Sequence, residues 1–166
     1  MSSLGKDPAL LARRVRAGLD ARALTALGGA REDCGDARPG AFLAVLEVCF
    51  LEAAADGRVT DEERAHLARL ARDLTDGGLG EEALGALLSR CFEGLEREGF
   101  HARIARASRT LDADQRALAL TLAAAVALGD GALVADERDV FDDLARAFAV
   151  PEGDARRVLD AVARVV

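Results

Sequence analysis

Beyond Pro39 the apolar residues fall almost everywhere at helical spacing. Leu67, Leu70, Ala71 and Leu74 follow the i, i+3, i+4, i+7 pattern of a buried helix face, and Phe141, Leu144, Ala145 and Phe148 repeat it further along. No alternation of apolar and polar residues lasts long enough to compete as a strand. Asp-Gly, Gly-Gly and Val-Pro dipeptides mark the breaks. The pattern predicts helices near 39–55, 60–75, 80–97, 100–109, 112–129, 135–148 and 151–165. The longest apolar stretch, Ala117 to Leu128, is too short to span a bilayer and is interrupted by Thr121, so it reads as a core helix.

A further helix is expected upstream. Asp7-Pro8 supplies an N-cap acid and a proline at the first helical position, and the pattern runs to Gly28-Gly29. Leu11, Val15 and Leu19 share one stripe, with Arg13, Arg14, Arg16 and Arg22 among them. Such a basic amphipathic helix suits packing on its own domain, and it is also compatible with peripheral attachment to a membrane. The glycine-rich segment from Gly28 to Gly40 reads as a linker. The organisation expected is therefore residues 1–38 as an N-terminal helix plus linker, and 39–166 as one helical domain.

Displacing the chain against itself by 74 residues exposes a duplication. Asp56-Gly57 falls on Asp130-Gly131, and Glu63-Arg64 falls on Glu137-Arg138. The stripe from Leu67 to Leu74 meets that from Phe141 to Phe148; Leu46 meets Leu120, and Ala53 meets Ala127. Leu84, Leu87, Leu88 and Cys91 meet Val158, Ala161, Val162 and Val165. Three successive helices repeat, over about 42–93 and 116–166, and units of this size bury their apolar faces only against each other. The expected fold is all-α, a single bundle of about seven to eight helices built from two pseudo-symmetric three-helix repeats.

Each repeat carries an acidic turn of the form Asp-Gly-x-(Val/Leu)-x-x-x-Glu-Arg. Glycine just past a helix end takes the left-handed conformation cheaply. Thr60 with Glu63 makes a capping box, and Asp61 and Glu62 suit the positive end of the next helix. Two features are left over. Asp56 and Asp130 sit at helix C-termini, where the exposed carbonyls are already partly negative and an acid costs about 0.3–1 kcal/mol unless compensated. Glu137 lacks the capping-box explanation, because Val134 stands where Thr60 stands. Three compensations are open: pairing of the aspartates with Arg64 and Arg138, capping of the following backbone by the aspartate, or a hard cation between aspartate, glutamate and carbonyls. An oxygen-only donor set selects Ca²⁺ or Mg²⁺. Neither turn is an EF-hand, since the alternating acids and the twelfth-position Glu are missing.

Composition agrees with helix: Tyr and Trp are absent, isoleucine occurs once at Ile104, and the helix formers Ala and Leu dominate. A net charge of −7 and the lack of a basic run outside the first helix argue against nucleic acid as a partner. Cys34, Cys49 and Cys91 are odd in number and widely spaced, so neither a disulfide framework nor a zinc site is expected; Cys49 and Cys91 read as buried thiols. The first residues contain no apolar signal region, and a cytoplasmic location is expected.

With these residues in view, the region from about Gly40 to Asp154 resembles the tellurite-resistance protein family TerB. The resemblance rests on Ala55-Asp56-Gly57-Arg58-Val59-Thr60-Asp61-Glu62-Glu63-Arg64 in the first copy. In the second it rests on Leu118-Ala119-Leu120, Val126-Ala127-Leu128-Gly129-Asp130-Gly131, Asp136-Glu137-Arg138 and Phe148-Ala149-Val150. It implies an all-α bundle with internal pseudo-symmetry, divalent-cation binding (Ca²⁺ or Mg²⁺) by Asp56, Glu63, Asp130 and Glu137, and a cytoplasmic role with protein partners in tellurite, oxidative or other stress. Val134 and Ala135 depart from the pattern and leave the second turn poorer in acids.

Catalytic chemistry finds little support. Glu63-x-x-His66 has di-iron spacing, but its counterpart in the second copy is Val140, so the second ligand pair is missing. His101 is isolated, the Ser and Cys residues lack a base and an orienting group nearby in sequence, and no phosphate loop appears. The expectation is a non-enzymatic module, either cation-responsive or a metal-free helical adaptor.

Overall fold

The computed structural model describes residues 38–74, 80–129 and 132–164, and these are helical throughout apart from short connections. The helices are α1 (Arg38–Ala53), α2 (Asp61–Leu74), α3 (Glu81–Glu98), α4 (Phe100–Thr110), α5 (Ala113–Ala127), α6 (Ala135–Ala147) and α7 (Glu152–Ala163). Every predicted helix beyond Pro39 is present with its ends displaced by at most two residues. The upstream helix expected from Asp7 lies outside the described residues, as does nearly all of the linker; Pro39 and Gly40, where the linker and the helix expected at 39–55 overlap, belong to the first turn of α1. Proline is tolerated there because a first-turn N–H has no intrahelical acceptor.

Two helices form the centre. In α1, every residue from Ala44 to Glu52 is buried; in α5, Leu118 to Leu120, Leu122 to Ala125 and Ala127 are buried. A helix apolar around its whole circumference must be covered on all sides, and α1 and α5 pack most extensively on each other. The amphipathic α2, α3, α6 and α7 cover them, each turning one stripe inward. Among these stripes are Leu67, Leu70 and Ala71 in α2, and Phe141, Leu144 and Ala145 in α6. The small side chains of Ala123, Ala124 and Ala125 allow close approach at the centre, which aromatic residues would block.

The duplication is visible in the order of elements. Helices α1, α2 and α3 recur as α5, α6 and α7, and α4 joins the two units. Displacement by 74 residues carries Ala53 at the end of α1 onto Ala127 at the end of α5, and Asp61 at the start of α2 onto Ala135 at the start of α6. For the third helix the sequence pairing needs correction. The buried face of α3 is Leu84, Leu88 and Cys91, and that of α7 is Ala155, Leu159 and Val162, whereas Ala161, the expected partner of Leu87, is exposed. The third helices thus correspond three residues out of step with the first two, because the connection after α2 is longer than that after α6. A slip of three residues leaves a helical stripe on nearly the same face, which is why the sequence pattern concealed it.

An ion-pair network ties α4 to this core. Arg103 is buried and pairs with Glu47 of α1, and its guanidinium also donates to Glu98 Oε2 at 3.1 Å. Burial pushes the Glu47 carboxyl upward, and Arg103 opposes that shift. The hydrogen bonds from Arg97 and Arg103 hold Glu98 below its usual value. Gly94 lies beneath this guanidinium: a Cβ there would come within 2.8 Å of Arg103 Cζ. A helix-interior glycine is explained by the buried arginine that crosses it.

Candidate functional site

The first acidic turn follows α1 directly. Ala54 N donates to Phe50 O and Gly57 N to Ala54 O at 2.8 Å, and Gly57 takes φ +83°. Asp56 is exposed, and its Oδ1 accepts the Arg58 N–H at 2.9 Å. This local turn bond is the compensation the structure supplies for an acid at a helix C-terminus. Among the described residues no arginine pairs with Asp56: Arg64 lies over the Phe92 ring at 5.1 Å. Arg138 pairs with Asp142 at 3.3 Å, and its expected partner Asp130 lies outside the described residues.

Thr60 and Glu63 form the predicted capping box. Glu63 Oε2 accepts from Thr60 N at 2.7 Å, and Glu63 N donates to Thr60 Oγ1 at 3.2 Å. In the second copy, Val134 N donates to Glu137 Oε2 at 3.0 Å. This corrects the expectation that Glu137 has no capping role. The reciprocal half of a capping box needs only the backbone N–H of the N-cap residue, which valine supplies as well as threonine does. Glu63 and Glu137 therefore share one structural task. Asp130 and Gly131 lie outside the described residues.

Each turn is met by the second helix of the other copy. Gly129, at the start of the second turn, is buried, and a Cβ on it would stand 3.7 Å from His66 Cε1 of α2. The first turn lines an open groove of about 670 Å³ with Val140 of α6, the residue equivalent to His66. Phe92, Leu95 and Phe100 complete the apolar floor of that groove. Its rim bears Glu96, Asp136, Asp139 and Asp143, with Arg58 and His101 also lining it. The sequence brought only Asp136 of these four acids to notice, as part of the repeated motif, because Glu96 on α3 meets the α6 aspartates only through packing.

Glu52 is the other residue that sequence reading missed. It is 1 % exposed, and neither carboxylate oxygen has a hydrogen-bond partner. Burial, with Glu137 and Asp142 adding repulsion, pushes its carboxyl up to about 9. The signal was available: Glu47 and Glu52 interrupt an otherwise apolar helix, so both had to be buried. The two described cysteines, Cys49 and Cys91, are buried and free as expected, and burial raises both thiols to about 12, so neither is a ready nucleophile. His101 is exposed on the surface, 4.0 Å from Asp143.

Two three-helix units sharing one core, each with a capping glutamate in the first turn of its second helix, define a duplicated all-helical module. Residues 42–160 match the family described as tellurite resistance protein TerB, and the chain belongs to that family. No curated protein and no solved structure matches the chain. Among the described residues, no helix is long and apolar enough to cross a membrane.

Proposed function

We infer that this TerB-family chain is a non-catalytic module that binds Ca²⁺ or Mg²⁺ weakly at its turns and acts through protein partners in a cytoplasmic tellurite or oxidative stress response. The observation that supports cation uptake is Asp56: it is exposed at a helix C-terminus, only its Oδ1 is engaged, and no guanidinium among the described residues pairs with it. Asp56 and Glu63 would hold the ion in the first turn, and Asp130 and Glu137 in the second, with main-chain carbonyls and water completing the shell. The donor chemistry fits a hard cation, since all of it is oxygen. The set is thin, because no group of three or more acid, His or Cys side chains among the described residues is placed to hold a metal ion. Dissociation constants on the order of 10⁻⁵ to 10⁻³ M follow. The bound ion would offset the crowding of negative charge at the turn and stiffen it.

A metal-free adaptor is the second reading, favoured by the matching cap bonds of Glu63 and Glu137, which give both acids a use without any ion. A thermal-shift series with Ca²⁺, Mg²⁺ and chelator separates the two. A ligand that binds only the native state raises the melting temperature with concentration, by about 2.7 kcal/mol of stability at a hundredfold excess over Kd. A melting temperature indifferent to millimolar cation would leave the adaptor.

A further inference from the structure

The acidic-rimmed groove between the first turn, α3, α4 and α6 has the chemistry of a docking site for a basic, apolar helix. Its floor is apolar, with Phe92, Leu95 and Phe100 half-buried. Asp143 already has a partner in Arg146 at 2.5 Å and lies near His101. Glu96, Asp136 and Asp139 make no ion pair within the described residues. Asp136, Asp139 and Asp143 stand at i, i+3 and i+7 on one helix, a spacing at which like charges repel.

The chain itself contains a segment of the opposite character. Residues 13–22 hold Arg13, Arg14, Arg16 and Arg22 against a single acid, Asp20, interleaved with Val15 and Leu19. This is a basic stretch of an otherwise acidic protein, and it lies upstream of the residues that match the family. Reach is sufficient. The groove sits at the C-terminal end of α1, whose 16 residues span about 24 Å. The linker from Gly28 to Arg38 can extend over about 33 Å.

We propose that residues 8–27 seat in this groove, with their arginines on Glu96, Asp136 and Asp139 and their apolar residues on Phe92, Leu95 and Phe100. The segment then covers the groove's apolar floor. The proposal stands apart from cation binding at the turns, which involves other side chains.

Hydrogen–deuterium exchange on the full-length chain tests it. Amides of residues 8–27 should exchange at least tenfold more slowly than an unstructured reference, and raising NaCl from 50 to 500 mM should weaken that protection. Asp136→Lys with Asp139→Lys should abolish it, Arg13→Glu with Arg16→Glu should do the same, and combining all four changes should restore it. If the groove variant fails to fold, the arginine variant alone decides. It must raise exchange in peptides covering 92–100 and 136–143 while leaving the helical circular dichroism unchanged. Exchange at 8–27 that ignores both charge reversals would overturn the proposal. So would protection that depends on protein concentration, which would assign the groove to a second copy, or protection that appears only with anionic vesicles.

Discussion

Glu47 and Glu52 both interrupt the apolar run of α1, and the fold treats them differently. Glu47 meets Arg103, while Glu52 is buried without a hydrogen-bond partner, and that burial, with added repulsion from Glu137 and Asp142, makes it hold its proton up to about 9. An acid whose native value lies above its unfolded value of 4.5 keeps a proton that the unfolded chain has released. Stability therefore falls as pH rises from the unfolded value towards 9, by up to about 1.4 kcal/mol per unit. Glu52→Gln should match the wild type near pH 4 and exceed it increasingly from pH 6 to 8. Denaturant titrations across that range check it, and parallel pH curves would show that Glu52 is not a buried neutral acid. Arg103→Met should cost about 3–5 kcal/mol by stranding Glu47, while Glu47→Met combined with Arg103→Met should recover most of that loss. Chemical denaturation of the single and double variants measures the difference; additive losses would contradict the pairing.

At the scale of elements, the two turns share a cap bond but not a complete box. Val134 is 54 % exposed, with extended backbone at an N-cap position, and lacks the hydroxyl that Thr60 supplies. Val134→Thr should complete the box and raise stability by about 0.5–1 kcal/mol. Glu137→Ala should lower it by about 0.5–1.5 kcal/mol through loss of the bond to Val134 N. Thermal denaturation of both variants tests the assignment, and a silent Glu137→Ala would remove Glu137 from the cap. The capping box at Thr60 and Glu63 was legible in the sequence because both halves use side chains of recognisable type. The half-box at Glu137 was not, since its donor is a backbone N–H that every residue except proline possesses. The three-residue slip of the third helix was hidden for a related reason: it moves residues along a stripe rather than off it.

Across the whole molecule, helical periodicity and the duplicated Asp-Gly turns sufficed to anticipate an all-helical duplicated bundle. Both signals are local, and both survive in a single chain. What the sequence withheld was neighbourhood. Glu96, Asp136, Asp139 and Asp143 come from two helices far apart in the chain, and the pairing of Glu47 with Arg103 crosses from α1 to α4. The functional account rests on the turns as cation sites, and titration calorimetry on the full chain addresses it directly. Wild-type protein should bind Ca²⁺ or Mg²⁺ with a dissociation constant on the order of 10⁻⁵ to 10⁻³ M. Asp56→Asn should remove that binding at the first turn while keeping the fold, and Asp130→Asn should have a smaller effect, because Ala135 stands where Asp61 stands in the first copy. Absence of heat with millimolar cation in the wild type, or isotherms unchanged in both variants, would contradict the account.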